Sequence, residues 1–255
     1  MAGDVEGRIE IVRDGPSSFV LRIGGRDQSY VHLDAPDRLE FDYVRRMGDV
    51  IDAHGEPGHP LRCVHVGGGA LTLPRYVAVT RPRSGQIVLE PAVEVTDAVR
   101  ERLPVPPRSG IKVRPVDGRS GLESLWAGSA DVVVLDAFDE GVVPADLVTV
   151  ACFELVARVL APDGLFLLNL VGRAPFADAR RVVAGLRAVF PRLLLSAEPA
   201  TLRGRRTGNV LVVASPRAVP LAALRARAGS SALPYRVLDE AQISSSFGGG
   251  TPLTD

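Results

Sequence analysis

The first part of the chain consists of short apolar runs separated by turn-forming residues. Runs at 8–12, 18–23 and 28–33 have the composition of strands, and turn signals at Asp14-Gly15-Pro16 and Gly24-Gly25 lie between them. Short runs joined by tight turns are typical of antiparallel strands. We therefore predict a small antiparallel β region within residues 1–36.

From residue 37 the pattern changes to a leading helix followed by alternating strands and helices. The leading helix is predicted from apolar residues at helical spacing: Leu39, Tyr43, Met47, Val50 and Ile51. Strands are predicted at 61–66, 86–90, 111–116, 131–136, 165–171, 192–197 and 209–214, with the main helices at 71–80, 93–103, 145–160 and 176–189. Continuous apolar strands separated by helices predict an α/β fold with a mostly parallel sheet covered on both faces. The short connection between the last two strands predicts that one of them is antiparallel to the rest.

The chain is predicted to have three parts. Residues 1–36 form the β region, and residues 37–229 form the α/β domain together with its leading helix. Residues 230–255 include the stretch SSSFGGGTPLTD, whose small and polar residues predict a flexible tail.

The composition is that of an ordinary soluble globular protein, with 46% hydrophobic and 24% charged residues. Thirty basic residues balance thirty acidic ones, so no overall positive field draws the chain to nucleic acid or to an anionic membrane. The N terminus is too polar for a signal peptide, and no apolar run reaches the roughly 18 residues of a membrane-spanning helix. We expect a cytoplasmic protein in which Cys63 and Cys152 are buried apolar residues.

The residues of greatest chemical interest follow the ends of four successive strands: Gly67-Gly68-Gly69, then Glu90, then Asp117-Gly118, then Asp136 and Asp139. In doubly wound sheets, ligands bind beyond the carboxyl ends of the strands, so these residues are expected to meet at one site. Glycines let the backbone approach a ligand closely, and a carboxylate at position 90 can accept hydrogen bonds from both ribose hydroxyls. Asp117 can accept from an adenine amine, and Asp139 can hold an ammonium group or take its proton.

Each of these features also has an ordinary interpretation. The glycines could form a simple tight turn, Glu90 could be a solvated acid, and Asp117 could cap a helix. The acids at 139 and 140 could belong to an ordinary polar loop. A dinucleotide fingerprint would need a glycine at position 72, where this chain has Thr72. Together, the glycines and the acids that follow four successive strands favour an adenosyl ligand without a pyrophosphate. The four histidines have no metal-ligand spacing, so no metal is predicted.

Four segments of the sequence resemble the core of the spermidine synthase (polyamine aminopropyltransferase) family, a branch of the class I S-adenosylmethionine-dependent transferases. They are VHVGGGALTLPRYVA, QIVLEPAVEV, VRPVDGRSGL and DVVVLDAFDEGVVPADL, and the resemblance extends over residues 28–215. It implies a seven-stranded Rossmann-like domain behind a small N-terminal β region. It also implies S-adenosylmethionine or its decarboxylated form as co-substrate, a small-molecule amine as acceptor, and a possible homodimer.

The resemblance also implies roles for individual residues. Gln28 resembles the family's N-terminal ligand-binding glutamine, and Gly67, Gly68 and Gly69 resemble its glycine loop. Glu90 resembles the acid that binds the ribose, Asp117 and Gly118 the pair that binds the adenine, and Asp136 the first acid of the D-S-S-D segment.

The residues implied for the reaction itself are fewer. Asp139 resembles the family acid that positions or deprotonates the attacking amine, and Glu140 and Tyr43 are candidates for acceptor binding. Two positions depart from the family pattern. Ala70 replaces the acid of the G-G-G-D-G loop. The family's Tyr-His acceptor motif is absent, since Tyr43 is followed by Val44-Arg45-Arg46. We interpret the arginines as exposed helix residues, since a pair facing the pocket would repel a polyamine.

These departures leave the reaction open. Aminopropyl transfer to an amine such as a polyamine is the leading interpretation. A methyltransferase with another acceptor is the first alternative, because loss of the acid at position 70 removes repulsion against the carboxylate of intact S-adenosylmethionine. A non-catalytic adenosyl-binding protein is the second alternative. A nicotinamide dehydrogenase is disfavoured by Thr72 and by the acidic loop after Asp136.

Overall fold

The computed structural model describes residues 9–255 and begins with a three-stranded antiparallel sheet. Its strands are β1 (Ile9–Arg13), β2 (Ser18–Ile23) and β3 (Arg26–His32), with β2 in the centre. The predicted N-terminal β region is therefore confirmed. The expectation that the first residues are not a signal peptide concerns residues outside the described part of the chain.

The second sheet has eight strands, one more than the seven expected. They are β4 (Arg62–Val66), β5 (Gly85–Leu89), β6 (Ile111–Arg114), β7 (Ala130–Leu135), β8 (Leu160–Gly172), β9 (Arg192–Ala197), β10 (Gly208–Ser215) and β11 (Arg236–Leu238). Their order is β11-β9-β10-β8-β7-β4-β5-β6. Strands β6, β5, β4, β7 and β8 are parallel neighbours, and β10 is antiparallel to both β8 and β9. The predicted antiparallel strand is therefore β10.

The helices cover both faces of the eight-stranded sheet, as predicted. They are α1 (Asp42–Asp52), α2 (Thr72–Thr80), α3 (Val93–Arg102), α4 (Gly118–Glu123), α5 (Val150–Val159), α6 (Ala177–Val189), α7 (Pro199–Leu202), α8 (Leu221–Ser230) and α9 (Glu240–Phe247). Helices α1, α2 and α8 pack on one face, and α4, α5, α6 and α9 pack on the other. The segment predicted as one helix at 145–160 starts with a short 3-10 turn, and α5 begins after it, where Thr149 accepts a hydrogen bond from the Cys152 amide.

Strand β7 shows why this sequence forms a two-faced core. Val132 and Val134 pack with the α1 side, whereas Val133 and Leu135 pack with the α5 side, and all four are almost completely buried. Both cysteines are buried and free, as expected. Across residues 9–255, the helices are all too short or too polar to cross a bilayer.

The predicted flexible tail is wrong in its first half. Residues 236–247 form β11, which pairs with β9, and α9, whose Ile243 and Phe247 are buried against the sheet. The last residues are also tied to the domain, because the Val150 amide donates to the Leu253 carbonyl. A three-residue strand is too short to produce a periodic pattern. The Asp239-x-x-Gln242 capping box of α9, however, was visible in the sequence.

Candidate functional site

A cavity of about 660 Å³ lies at the carboxyl ends of the parallel strands. Here the strand order reverses, because the chain runs outward from β4 through β5 to β6 and then returns to β7 on the other side of β4. Within the described chain, every charged side chain that lines this cavity is acidic: Glu90, Glu94, Asp117, Asp136, Asp139 and Asp146. The site therefore has a negative field that favours a cationic ligand.

The turn after β4 requires glycine because two neighbouring segments pack closely against it. Gly67 has a φ of +94°, and a Cβ there would overlap the backbone carbonyl oxygen of Asp136. Gly69 also has a positive φ, and a Cβ there would overlap the Ser29 hydroxyl. Only glycine fits both constraints, so this turn lets the ends of β4 and β7 and the N-terminal sheet meet at the cavity.

Glu90, at the end of β5, is fixed by two backbone amides. One carboxylate oxygen accepts from the Gly68 amide at 2.9 Å, and the other accepts from the Ala92 amide at 3.0 Å. Each carboxylate oxygen can accept more than one hydrogen bond, so acceptor capacity remains for a ligand in the cavity.

Asp117 is both a helix cap and a residue of the cavity wall. It caps α4 by accepting a hydrogen bond from the Ser120 amide at 2.8 Å, and it also lines the cavity beside Gly118. Hydrogen bonds from Ser120 lower the pKa of the Asp117 carboxyl, which keeps it ionised as an acceptor.

Asp136 has polar neighbours from β8 and from α1. The Asn169 Nδ2 donates to Asp136 Oδ1 at 2.9 Å, and the Tyr43 hydroxyl lies near the Asp136 carboxylate. Burial raises the pKa of Asp136 to about 6, although Asn169 and Tyr43 oppose this rise. Burial, followed by the charge of Asp136, raises the pKa of Tyr43, so Tyr43 stays a donor.

Asp136→Asn is expected to stabilise the unliganded protein by about 1–3 kcal/mol at about pH 8. The folded state raises the pKa of Asp136 from 3.8 to about 6, so between these values it binds more protons than the unfolded state does. Stability therefore falls as the pH rises through this window, and an amide at position 136 removes that penalty. The difference between variant and wild type, measured by urea denaturation, should disappear at about pH 4.

The matched control is Asp139→Asn, which changes an exposed acid of the same loop and should leave stability nearly unchanged. Equal stability of Asp136→Asn and the wild-type protein at the higher pH would contradict the destabilisation of the Asp136 carboxylate by desolvation.

Asp139 lies in a tight turn at the mouth of the cavity. Its backbone amide donates to the Val142 carbonyl, and the Val142 amide donates back to the Asp139 carbonyl. The two residues between them, Glu140 and Gly141, both have positive φ angles. This turn places the Asp139 side chain at the cavity but leaves Glu140 exposed and outside the lining residues. The structure therefore does not support acceptor binding by Glu140, whose carbonyl instead accepts from Arg26.

The N-terminal sheet contributes to the site through β3. Gln28 lines the cavity, as predicted, and the adjacent Ser29 hydroxyl accepts a hydrogen bond from the Ala70 amide at 3.1 Å. Ala70 itself is fully buried against Leu21 and Val31, and it does not line the cavity. No carboxylate therefore extends into the site from this position of the glycine turn.

The arginines of α1 do not face the cavity, but the interpretation of both as exposed helix residues is wrong for Arg46. Its side chain is 2% exposed and donates to the Ser196 carbonyl at 2.7 Å, the Asn209 carbonyl at 3.1 Å and the Asp42 carboxylate at 3.1 Å. Arg45 binds the carbonyl of Leu39. Neither arginine lines the cavity, so the repulsion of a polyamine that a pocket-facing pair would cause does not arise.

The sequence analysis did not identify Asn169, which contacts Asp136 from β8, or Ser29, which supports the glycine turn. Asn169 was visible as a polar residue within an otherwise apolar strand, and such residues need partners when they are buried. Among the described residues, no group of three or more potential metal ligands is found.

The fold and the cavity at its topological switch point define a Rossmann-like class I transferase. A probable spermidine synthase from Corynebacterium glutamicum, known from a crystal structure, is 30% identical, with a TM-score of 0.89; the match covers 97% of this chain and 92% of that one. The polyamine aminopropyltransferase of Chromobacterium violaceum is 28% identical over 227 residues, which cover 86% of this chain and 82% of the relative. The chain belongs to the spermidine synthase-like family of transferases.

A more distant structural relative is named as methyltransferase-like. Human methyltransferase-like protein 13, solved in complex with SAH, is 25% identical with a TM-score of 0.59, covering 70% of this chain and 83% of that one. No family model matches the chain.

Proposed function

We propose that this protein transfers an alkyl group, in the leading case an aminopropyl group, from decarboxylated S-adenosylmethionine or S-adenosylmethionine to an amine acceptor such as a polyamine. The observation that carries this proposal is the cavity wall, which among residues 9–255 is lined by six carboxylates and by no arginine or lysine. Both reactants of such a transfer are cations near neutral pH. A site with this charge pattern attracts both and repels phosphorylated dinucleotides.

The residues divide into two groups along the cavity. Glu90 and Asp117 would bind the ribose hydroxyls and the adenine amine, with Gly67, Gly68, Gly69 and Gly118 allowing close backbone approach. Gln28 and Asp136 would contact the part of the nucleotide nearest the sulfur, and Tyr43 would border the acceptor. A cavity of this volume has room for an adenosyl group and a small amine together.

The sulfonium supplies an alkyl group that is already activated for displacement. The amine nitrogen forms the new C–N bond as the C–S bond breaks, and a neutral thioether remains. The protein therefore has to align the two reactants, exclude water and accept the proton that the amine loses. Asp139 stands at the mouth of the cavity, where it can hold the acceptor ammonium group and take this proton.

The charge pattern bears on the choice between the two nucleotides. Intact S-adenosylmethionine carries a carboxylate, and none of the described residues that line the cavity is an arginine or lysine that could pair with it. This favours the decarboxylated form. Methyl transfer is the second candidate, favoured by Ala70 in place of the family acid and by the similarity to human methyltransferase-like protein 13.

The two reactions are distinguished by their nucleotide products. We expect the protein, incubated with decarboxylated S-adenosylmethionine and a panel of diamines and triamines, to release 5′-methylthioadenosine at the rate at which the lengthened polyamine appears in chromatography. S-adenosylhomocysteine formed from intact S-adenosylmethionine would instead establish methyl transfer. Tight binding of either nucleotide without any product would favour the non-catalytic alternative.

The proposal also includes the wider setting of the protein. We place it in the cytoplasm, acting on small molecules. Its zero net charge favours neither a nucleic acid nor an anionic membrane as a partner. A homodimer, which the family resemblance implies, can be checked by light scattering. The division of the chain at residue 36 stays a prediction.

A further inference from the structure

A network of polar contacts beside the cavity connects Asp136 to the leading helix by two routes. The first route is direct, through the hydroxyl of Tyr43 on α1. The second route passes from Asp136 to Asn169 on β8, then to Asn209 on β10, and reaches α1 at Arg46. The strands β7, β8 and β10 are neighbours in the sheet, so this network joins three strands and one helix.

The hydrogen-bond directions in the second route all lead toward the carboxylate. Arg46 donates to the Asn209 backbone carbonyl at 3.1 Å, and the Asn209 Nδ2 donates to Asn169 Oδ1 at 3.1 Å. The Asn169 Nδ2 then donates to Asp136 Oδ1 at 2.9 Å. Because Asn209 occupies the carbonyl oxygen of the Asn169 amide, the NH₂ end must point at Asp136.

Asn169 is fully buried, so its amide is costly unless its main polar contacts are satisfied. An apolar residue at this position would fit a strand in which the neighbouring positions are leucines. A role in the fold alone does not require an amide here, whereas a carboxylate that must stay ionised in a buried place does require a donor.

We propose that Asn169 is a positioning residue for the transfer reaction and that it acts through Asp136. Its NH₂ group holds one carboxylate oxygen and leaves the other to meet the cationic part of the bound nucleotide. Asn209 fixes the orientation of the Asn169 amide. This inference rests on the proposed function, since it assumes that a sulfonium nucleotide occupies the cavity.

The test compares a cationic and a neutral nucleotide at the same site. Decarboxylated S-adenosylmethionine carries the sulfonium, and 5′-methylthioadenosine is the corresponding neutral thioether. Asn169→Leu should weaken the binding of the cation by about 10-fold or more, because the ionised form of Asp136 loses a donor. It should change the affinity of the neutral thioether by less than about 2-fold, since the binding of an uncharged ligand does not depend on the charge of Asp136.

The matched control is Gln86→Leu. Gln86 is also a buried amide of the same sheet, but it bonds His65 and the Pro74 carbonyl rather than a carboxylate. This variant should lose stability without changing the ratio of the two affinities. An Asn169→Leu variant with the wild-type ratio would overturn the proposal. If the wild-type protein binds neither nucleotide, nor intact S-adenosylmethionine, the proposed function itself fails.

A second measurement avoids any substitution. Asn169 and Asn209 are the only two asparagines of the chain, so selective ¹⁵N-asparagine labelling yields two side-chain NH₂ groups in an NMR spectrum. We expect decarboxylated S-adenosylmethionine to shift at least one of these NH₂ signals further than 5′-methylthioadenosine does. Equal shifts with the two ligands would overturn the proposal, whether or not Asn169→Leu folds.

Discussion

Asp139→Asn is expected to lower the rate of alkyl transfer by about 10²- to 10⁴-fold, the usual contribution of a positioned acid or base. The amide has nearly the same shape as the carboxylate, and the turn at 139–142 depends on backbone hydrogen bonds that the substitution leaves in place. An amide, however, cannot accept the proton that the attacking amine loses, and it carries no charge to hold the ammonium group. The loss should therefore appear in kcat and in the KM of the acceptor.

Nucleotide binding provides the internal check on this prediction. The ribose and adenine contacts come from Glu90 and Asp117 on other strands, so the affinity of Asp139→Asn for 5′-methylthioadenosine should change by less than about 3-fold. Glu140→Gln is the matched control, because it changes the neighbouring acid of the same turn, which lies outside the cavity. A full rate in Asp139→Asn, or an equal loss in Glu140→Gln, would remove Asp139 from the reaction.

Glu90→Ala is expected to lower the affinity for every adenosyl nucleotide by about 100-fold or more. The substitution removes the acceptors proposed for both ribose hydroxyls. It also frees the Gly68 and Ala92 amides, which the carboxylate now holds at 2.9 and 3.0 Å, so the glycine turn loses its anchor. Each hydrogen bond to a charged group contributes about 1.5–3 kcal/mol, and two such losses account for the expected effect.

The control for this prediction is Glu94→Ala, which removes an exposed acid from the wall of the same cavity. Its effect should stay below about 10-fold and should weaken as salt is added, as expected for a screened surface charge. Calorimetric titration of both variants measures the difference. Similar affinities in Glu90→Ala and Glu94→Ala would mean that Glu90 acts only through the general negative field.

The strands and the residues at their ends could be predicted from the sequence for a physical reason. Parallel strands buried on both faces produce continuous apolar runs, such as 131–136, whose ends are easy to locate. Ligands bind where those strands end, so Glu90, Asp117 and Asp136 could be assigned to one site before the sheet order was known. The structure brings all of them to one cavity.

Contacts that depend on side-chain direction could not be predicted in the same way. Glu140 is adjacent to Asp139 in sequence, but its positive φ in the turn directs the chain so that only Asp139 lines the cavity. The burial of Arg46 depends on carbonyl groups of β9 and β10, which lie 150 or more residues away in the chain. The eighth strand, β11, has three residues, and its pairing with β9 is decided by packing rather than by a local pattern.

The central claim is that this acid-lined cavity binds an adenosyl nucleotide with its ribose on Glu90. A crystal structure of the protein with 5′-methylthioadenosine tests it most directly. We predict both ribose hydroxyls within hydrogen-bonding distance of the Glu90 carboxylate and the adenine amine next to Asp117. A ribose bound away from Glu90 would contradict the account.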